Sequence, residues 1–419
     1  MRFRHPDGTT VHLGYCSNVH QAEDLDGVVS QLARYAEPVR QRLGVDRLGV
    51  GLWLARDVVS ELVGDERALR RLSDELAARG LETVTLNAFP YAGFHREVVK
   101  KDVYLPDWAD EARLRYTLDC ARVLTALLPE DAERGSVSTL PLAWREPWPT
   151  ERADAARHAL DRLAAGLATI EVETGRRIRV GFEPEPGCVV ETTAQAVRHL
   201  GGLDPDRLGI CLDACHLAVG FEEPAAALDR LAKAGLPVVK LQASCAVEAA
   251  DPTDPAARAA LRRLAEPRFL HQTRTPRGAE SPSGMPATPP APGGEARGPG
   301  APTPAGPPGT DAPVLGTDDL ADALDGGLPC APGRPWRTHF HAPLHAAPEP
   351  PLRTTAGHLA DVLTGLLGGP TPRCDHIEVE TYTWSVLPEP PTDLPGGIAA
   401  ELAWARDRLT GVGLKEDPS

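Results

Sequence analysis

No stretch of the chain approaches the roughly 20 consecutive apolar residues that a membrane-crossing helix needs, so the sequence predicts no membrane span. The first residues, Met1-Arg2-Phe3-Arg4-His5-Pro6, lack the apolar core of a secretory leader, and the default expectation is a cytoplasmic protein. Basic charge is short as well. Lys and Arg number 44 against 59 Asp and Glu, a net charge of −15. A general nucleic-acid binder neutralises phosphates with clustered Lys and Arg, and this chain has no basic stripe of that kind. The partner is therefore sought among small molecules. The eight cysteines, at 16, 120, 188, 211, 215, 245, 330 and 374, include no Cys-x-x-Cys pair. That predicts reduced, mostly buried thiols rather than a disulfide framework. Cys211 and Cys215 bracket Asp213 and leave a zinc-thiolate reading open, although no second pair accompanies them. Neither a Gly-x-Gly-x-x-Gly after the first strand nor a P-loop appears, so a nucleotide fold would lack its phosphate cradle.

What is present is alternation. Short β-like runs are predicted at 11–16, 47–54, 82–89, 136–142, 178–183, 208–213, 237–243 and 376–382, most of them separated by amphipathic helical segments. Such alternation implies parallel strands joined by right-handed crossovers. Eight of them favour closure into a (β/α)8 barrel, an α/β fold, over an open sheet. One helix is predicted from an N-cap at Thr150 to a stop at Gly175, with Leu160, Leu163, Leu167 and Ile170 as its apolar stripe. The alternation fails at 276–313, where 12 prolines and 8 glycines stand among 38 positions without one Val, Ile, Leu, Phe, Tyr or Trp. Such a stretch cannot offset its ordering entropy by burial, and a disordered insertion between strands seven and eight is predicted. The chain then reads as one barrel domain over 1–388 and a tail at 389–419 with one helix near 396–409.

In parallel barrels the carboxyl ends of the strands open on a single face, and three strand ends here carry metal-ligating residue types. Strand five ends in Glu183 and Glu185, strand six in Asp213 with His216 three residues on, and strand eight in Glu378 and Glu380. Glu183, Asp213 and Glu380 sit nearest the functional end and are the metal candidates, with Glu183 and Glu380 also the acid–base candidates. Glu183 has a plainer reading as a helix N-cap or rim salt bridge, and Asp213 as a helix cap with His216 a surface histidine. On strand seven Lys240 and Gln242 share the inward parity. A buried Lys240 requires a carboxylate or phosphate partner, and Gln242 is a neutral ligand or a substrate hydrogen-bonder. His339 and His341 alternate and present two imidazoles on one face, His341 as a metal ligand and His339 as a substrate contact. His20, Trp53 and Asn87 stand near other strand ends as further substrate contacts, with Trp53 and Phe89 as an apolar wall for a polyol.

Together these residues resemble the xylose isomerase-like TIM-barrel superfamily, which includes sugar isomerases, ketose 3-epimerases and an apurinic endonuclease family. The stretches Tyr15–His20, Glu183–Gly187, Leu212–His216, Lys240–Ser244, His339–Leu344 and Glu378–Trp384 are similar to the EboE family, a barrel protein named for metabolite traffic. The resemblance runs from about residue 10 to 388. It implies metal ligands at Glu183, Asp213 and Glu380, with His216 as the histidine behind them. Gln242 stands where the epimerases carry a histidine, and His339 or His341 offers a replacement imidazole. The activity implied is a divalent-metal-dependent (Mn, Mg or Zn) isomerisation or epimerisation of a small polyhydroxy carbonyl compound. A non-catalytic metabolite carrier, working with other proteins of the same pathway, is the alternative. A phosphoesterase or nuclease is disfavoured by the acidic balance.

Overall fold

Eight parallel strands close on themselves in chain order in the computed structural model, which describes residues 1–277 and 314–417. They are β1 (Thr10–Cys16), β2 (Leu48–Trp53), β3 (Thr85–Asn87), β4 (Arg134–Thr139), β5 (Arg177–Phe182), β6 (Leu208–Asp213), β7 (Val238–Ala243) and β8 (His376–Val379). Closure is made by β8 pairing with both β7 and β1, while β1 also pairs with β2. The fold is a (β/α)8 barrel with an insertion between β7 and β8.

Helices wrap the barrel because each buries one stripe and leaves the other wet. In Thr150–Thr174 the residues Leu160, Leu163, Leu167 and Ile170 are buried, and Gly175 ends the helix in the left-handed region at φ 69°. Its N-cap is Pro149 rather than Thr150, since the Pro149 carbonyl already accepts from the amides of Arg152 and Ala153. β4 stops at Thr139, short of the expected 142, because Pro141 has no N–H for a ladder. β8 stops at Val379, one residue before Glu380, whose amide still bonds the Ala243 carbonyl of β7 at 3.2 Å, and the chain then turns into a 3-10 helix at Tyr382–Val386.

Between β7 and β8 lies a second, antiparallel sheet. Its strands run in the order Val314–Thr317, Thr273–Pro276, Trp336–Thr338, Val247–Ala249 and Arg353–Thr354. Pro276, expected inside the insertion, is the last residue of its strand and pairs with Val314. The remainder of the expected disordered segment, 278–313, lies outside the described residues. The C-terminal helix Leu394–Gly411 buries Ile398, Leu402 and Leu409 in the main core. Its Glu401 is buried and accepts from Thr381 Oγ1 at 2.6 Å, the Leu344 amide at 3.0 Å and Trp384 Nε1 at 3.1 Å. That helix thereby braces the two segments that carry Glu380 and His341. No helix among the described residues is long and apolar enough to cross a membrane. The cysteines are unbonded, and Cys330 is exposed while the other seven are buried.

Candidate metal centre

β5 delivers Glu183, β6 delivers Asp213 and β8 delivers Glu380 to one place at the carboxyl end of the barrel. One oxygen from each carboxylate lies within 4.8 Å of the others, and all three residues are buried. Their remaining bonds are uneven. Asp213 Oδ1 caps the helix Ala214–Val219, accepting from the His216 amide and from Ser244 Oγ, both at 2.8 Å. Glu380 Oε1 accepts from Asn18 Nδ2 at 2.7 Å and from Asn87 Nδ2 at 3.0 Å. Asp213 Oδ2 and Glu183 Oε2 find no hydrogen-bond donor among the described residues. A buried carboxylate oxygen without a donor is expensive. The helix-cap reading of Asp213 is thus true of one oxygen and leaves the other for the site.

Three acidic groups at such spacing cannot all ionise cheaply. Burial, then the charges of Glu380 and Asp213, hold the Glu183 carboxyl well above its ordinary range. Burial, then Asp213 and Glu378, push Glu380 up to about 8. A divalent cation removes this penalty, and carboxylate oxygens suit Mg²⁺ and Mn²⁺. The donor set therefore fits a divalent cation held by Glu183, Asp213 and Glu380. Gln242, wholly buried on β7, stands level with Asp213 on one side and Glu378 on the other. Neither its amide oxygen nor its nitrogen has a hydrogen-bond partner among the described residues.

Lys240 lies below this cluster. Its ammonium is 2.6 Å from Glu378 Oε2 and 3.2 Å from Ser138 Oγ, and neither side chain of the ion pair is exposed. Burial opposes that charge, but Glu378 overrides it and holds the ammonium above its usual pKa. Glu378 fits because β2 has Gly51 beside it. A Cβ there would fall 1.2 Å from Glu378 Oε1.

The imidazoles stand to one side. His341 Nδ1 bonds the Glu380 carbonyl at 2.7 Å, and its Nε2 faces Asp213 Oδ2 at 3.8 Å without a hydrogen-bond partner among the described residues. His341 thus adjoins the carboxylate cluster through Asp213 rather than sharing the point on which the three carboxylates converge. Burial lowers its pKa to about 4. His216 Nδ1 bonds the Pro184 carbonyl at 3.0 Å and its Nε2 meets His339 Nε2 at 3.0 Å. Glu185 turns away from Glu183 and accepts from Tyr104 OH at 2.7 Å.

A cavity of about 60 Å³ lies over the site. Asn18, Asn87, Glu183, Glu185, His216, His339, His341 and Glu380 supply its polar lining, under Phe89, Phe94, Tyr104, Phe269 and Tyr382. Trp53 and His20 pack behind it. Trp53 Nε1 donates to the Pro90 carbonyl, while His20 bonds Tyr15 OH and stacks on Tyr35. Asn18, Tyr104, Gln272 and Tyr382 were not singled out from the sequence. Asn18 sits inside the Tyr15–His20 stretch and Tyr382 two residues past Glu380, where proximity to a strand end was the available signal. Tyr104, at the end of the 3-10 helix Lys100–Tyr104, and Gln272, just before the strand Thr273–Pro276, carry no such signal.

Residues 41–244, just under half of the chain, match the family model described as Xylose isomerase-like TIM barrel. The stretch holds Glu183, Asp213, His216, Lys240 and Gln242 and ends before His339, His341 and Glu380. No curated protein matches the chain. Among solved structures, it is similar to 3-keto-D-glucoside 4-epimerase from E. coli, at 16% identity over 55% of this chain and 79% of that one, with a TM-score of 0.36. D-psicose 3-epimerase from Clostridium cellulolyticum H10 is 12% identical over 55% and 72%, with a TM-score of 0.37. The IOLI protein with a bound zinc atom is 14% identical over 56% and 73%, with a TM-score of 0.36.

Proposed function

We propose that this xylose isomerase-like TIM barrel is a divalent-cation-dependent isomerase or epimerase of a small polyhydroxy carbonyl compound, with a place in metabolite processing or transfer as the EboE resemblance implies. The observation that carries the reading is the convergence of three buried carboxylates, two of them with an oxygen lacking a donor, Glu183 and Glu380 also lining a small cavity. A bound Mn²⁺, Mg²⁺ or Zn²⁺ supplies the charge that polarises a carbonyl and the hydroxyl beside it. The chain's own residues do the rest. Asn18 and Asn87 fix Glu380 Oε1, so that its second oxygen is the one left for substrate. Glu183 and Glu380, both with raised affinity for a proton, take it from the carbon next to the carbonyl and return it. Phe89, Phe94, Phe269 and Tyr382 exclude water from that exchange.

The test is to load the protein with Mn²⁺ in D₂O and offer a panel of ketoses. Deuterium enters the carbon next to the carbonyl of the true substrate class. A folded, metal-loaded protein that exchanges nothing on any of them removes the catalytic step and leaves a carrier.

Cation binding also has a defined pH dependence. Glu183 and Glu380 must give up protons to ligate, and their pKa values are raised, so acid competes with the cation. The Mn²⁺ affinity is expected to climb by at least about tenfold per pH unit between pH 6 and about 8, and more steeply where Glu183 and Glu380 both still hold their protons. Titration calorimetry in buffers of different ionisation enthalpy reads the proton release. A flat profile from pH 6 to 8 would place the cation elsewhere.

A further inference from the structure

Among the described residues that line the mouth cavity, Lys100 is the one lysine or arginine, and its charge is already spent. Its ammonium pairs with Asp319 Oδ2. The neighbouring cations repeat the pattern. Lys101 Nζ lies 3.7 Å from Asp318 Oδ2, and Arg145 Nη2 donates to Asp318 Oδ1 at 2.6 Å. Lys101 and Arg145 both stand over the Trp144 ring, at 4.5 and 4.9 Å, and Trp144 packs against Tyr104 of the cavity wall with ring centroids 5.0 Å apart. Three cations on the loops after β3 and β4 are thus met by two successive aspartates that follow the strand Val314–Thr317. Lys100 takes its place through a left-handed backbone, φ 41°, which a residue bearing a Cβ adopts at a cost. The amides of Val99 and Lys100 hold that turn, both bonding the Arg268 carbonyl, at 2.8 and 2.9 Å.

The remaining lining offers an anion little. Glu183, Glu185 and Glu380 are acidic. His216 spends Nδ1 on the Pro184 carbonyl and Nε2 on His339, both at 3.0 Å. Burial keeps the other two imidazoles neutral, His339 well below its ordinary range and His341 at about 4. A divalent cation among Glu183, Asp213 and Glu380 is outnumbered by their carboxylates, so loading leaves no surplus positive charge there. We propose that Asp319, backed by Asp318, sets the charge class of the substrate: by neutralising Lys100 it makes the mouth accept an uncharged polyhydroxy carbonyl compound and turn away its phosphate ester. This rests on the isomerase or epimerase reading for the kind of molecule and adds the charge it carries. The discrimination works by withholding a cation from the wrong ligand, not by adding a contact to the right one. The barrel loops supply positive groups that suit a phosphate, and the inserted segment cancels them. Asp318 and Asp319 lie outside residues 41–244, the stretch that matches the family model.

The test compares Mn²⁺-loaded full-length wild type with Asp319→Asn. Asparagine keeps the side-chain oxygen that caps the Leu320 amide at 2.8 Å and removes the charge that holds Lys100. Calorimetry reads the binding of inorganic phosphate, D-fructose and D-fructose 6-phosphate, and deuterium exchange in D₂O is followed on each ketose of the panel and on its terminal phosphate ester. Wild type favours the free ketose. Asp319→Asn binds phosphate and the ester roughly ten- to hundredfold more tightly, the worth of one hydrogen bond to a charged group. The double variant Lys100→Gln with Asp319→Asn loses that gain, which a merely structural tie between the small sheet and the barrel would not produce. A gain that is absent, or that survives in the double variant, overturns the proposal. So does a wild type that binds or exchanges the ester as readily as the free ketose, a result that leaves the isomerase reading standing. A phosphate gain that depends on Lys100, with no exchange on any ketose, does the reverse. Should Asp319→Asn fail to fold, the wild-type preference between free ketose and ester decides.

Discussion

Glu183→Gln is expected to lower turnover of the exchanging ketose by about a thousandfold, within the 10²–10⁴ range of a positioned acid–base group. The substitution keeps the shape of the side chain and removes both its charge and its ability to carry a proton. Glu183 sits where β5 hands the chain to Pro184, with its amide bonded to the Thr139 carbonyl at 3.0 Å, so the backbone around it has no reason to move. Loss of one of three carboxylates should also weaken Mn²⁺ binding. Measuring turnover at saturating Mn²⁺ separates the two effects, because a pure ligand defect recovers and a missing proton carrier does not. Melting temperature should rise slightly in the cation-free state, since the variant relieves repulsion among Glu183, Glu380 and Asp213. Turnover within tenfold of wild type at saturating metal would take the proton-moving role from Glu183.

Lys240→Met is expected to cost about 3–5 kcal/mol of stability, the range for removing one partner of a buried ion pair. Lys240 and Glu378 are wholly enclosed, and after the change Glu378 would face the Glu380 carboxyl and the apolar barrel wall without its cation. The double substitution Lys240→Met with Glu378→Gln should recover much of the loss, because it removes the stranded charge. Denaturant midpoints for the two single variants and the double variant give the coupling directly. A loss under about 1 kcal/mol for Lys240→Met alone would mean that Glu378 takes up a proton at little cost.

The parts of this architecture that were legible in the sequence are those governed by local pattern. Apolar runs of five or six residues gave the strands, and the residue after each run gave Glu183, Asp213 and Glu380. Parity along β7 put Lys240 and Gln242 inward and showed that Lys240 needed an anion, although the register that makes Glu378 its partner is a non-local fact. Glu185 illustrates the limit. It alternates with Glu183 on paper, yet its environment is set by Tyr104 and Gln272, which arrive from separate loops. His339 and His341 alternate on paper as paired imidazoles, but their separation into one partner of His216 and one neighbour of Asp213 depends on a small sheet built from segments nearly a hundred residues apart.

That small sheet has a consequence for how the chain tolerates change. Thr273–Pro276 and Val314–Thr317 form an antiparallel pair whose last rung is Pro276 with Val314. Pro276 and Val314 thus stand opposite one another on neighbouring strands, a gap that a tight two-residue reversal spans. Exchanging the intervening sequence for such a reversal is therefore expected to leave Gln272 and His339 where they are, with the small sheet acting as a port for grafting or pruning.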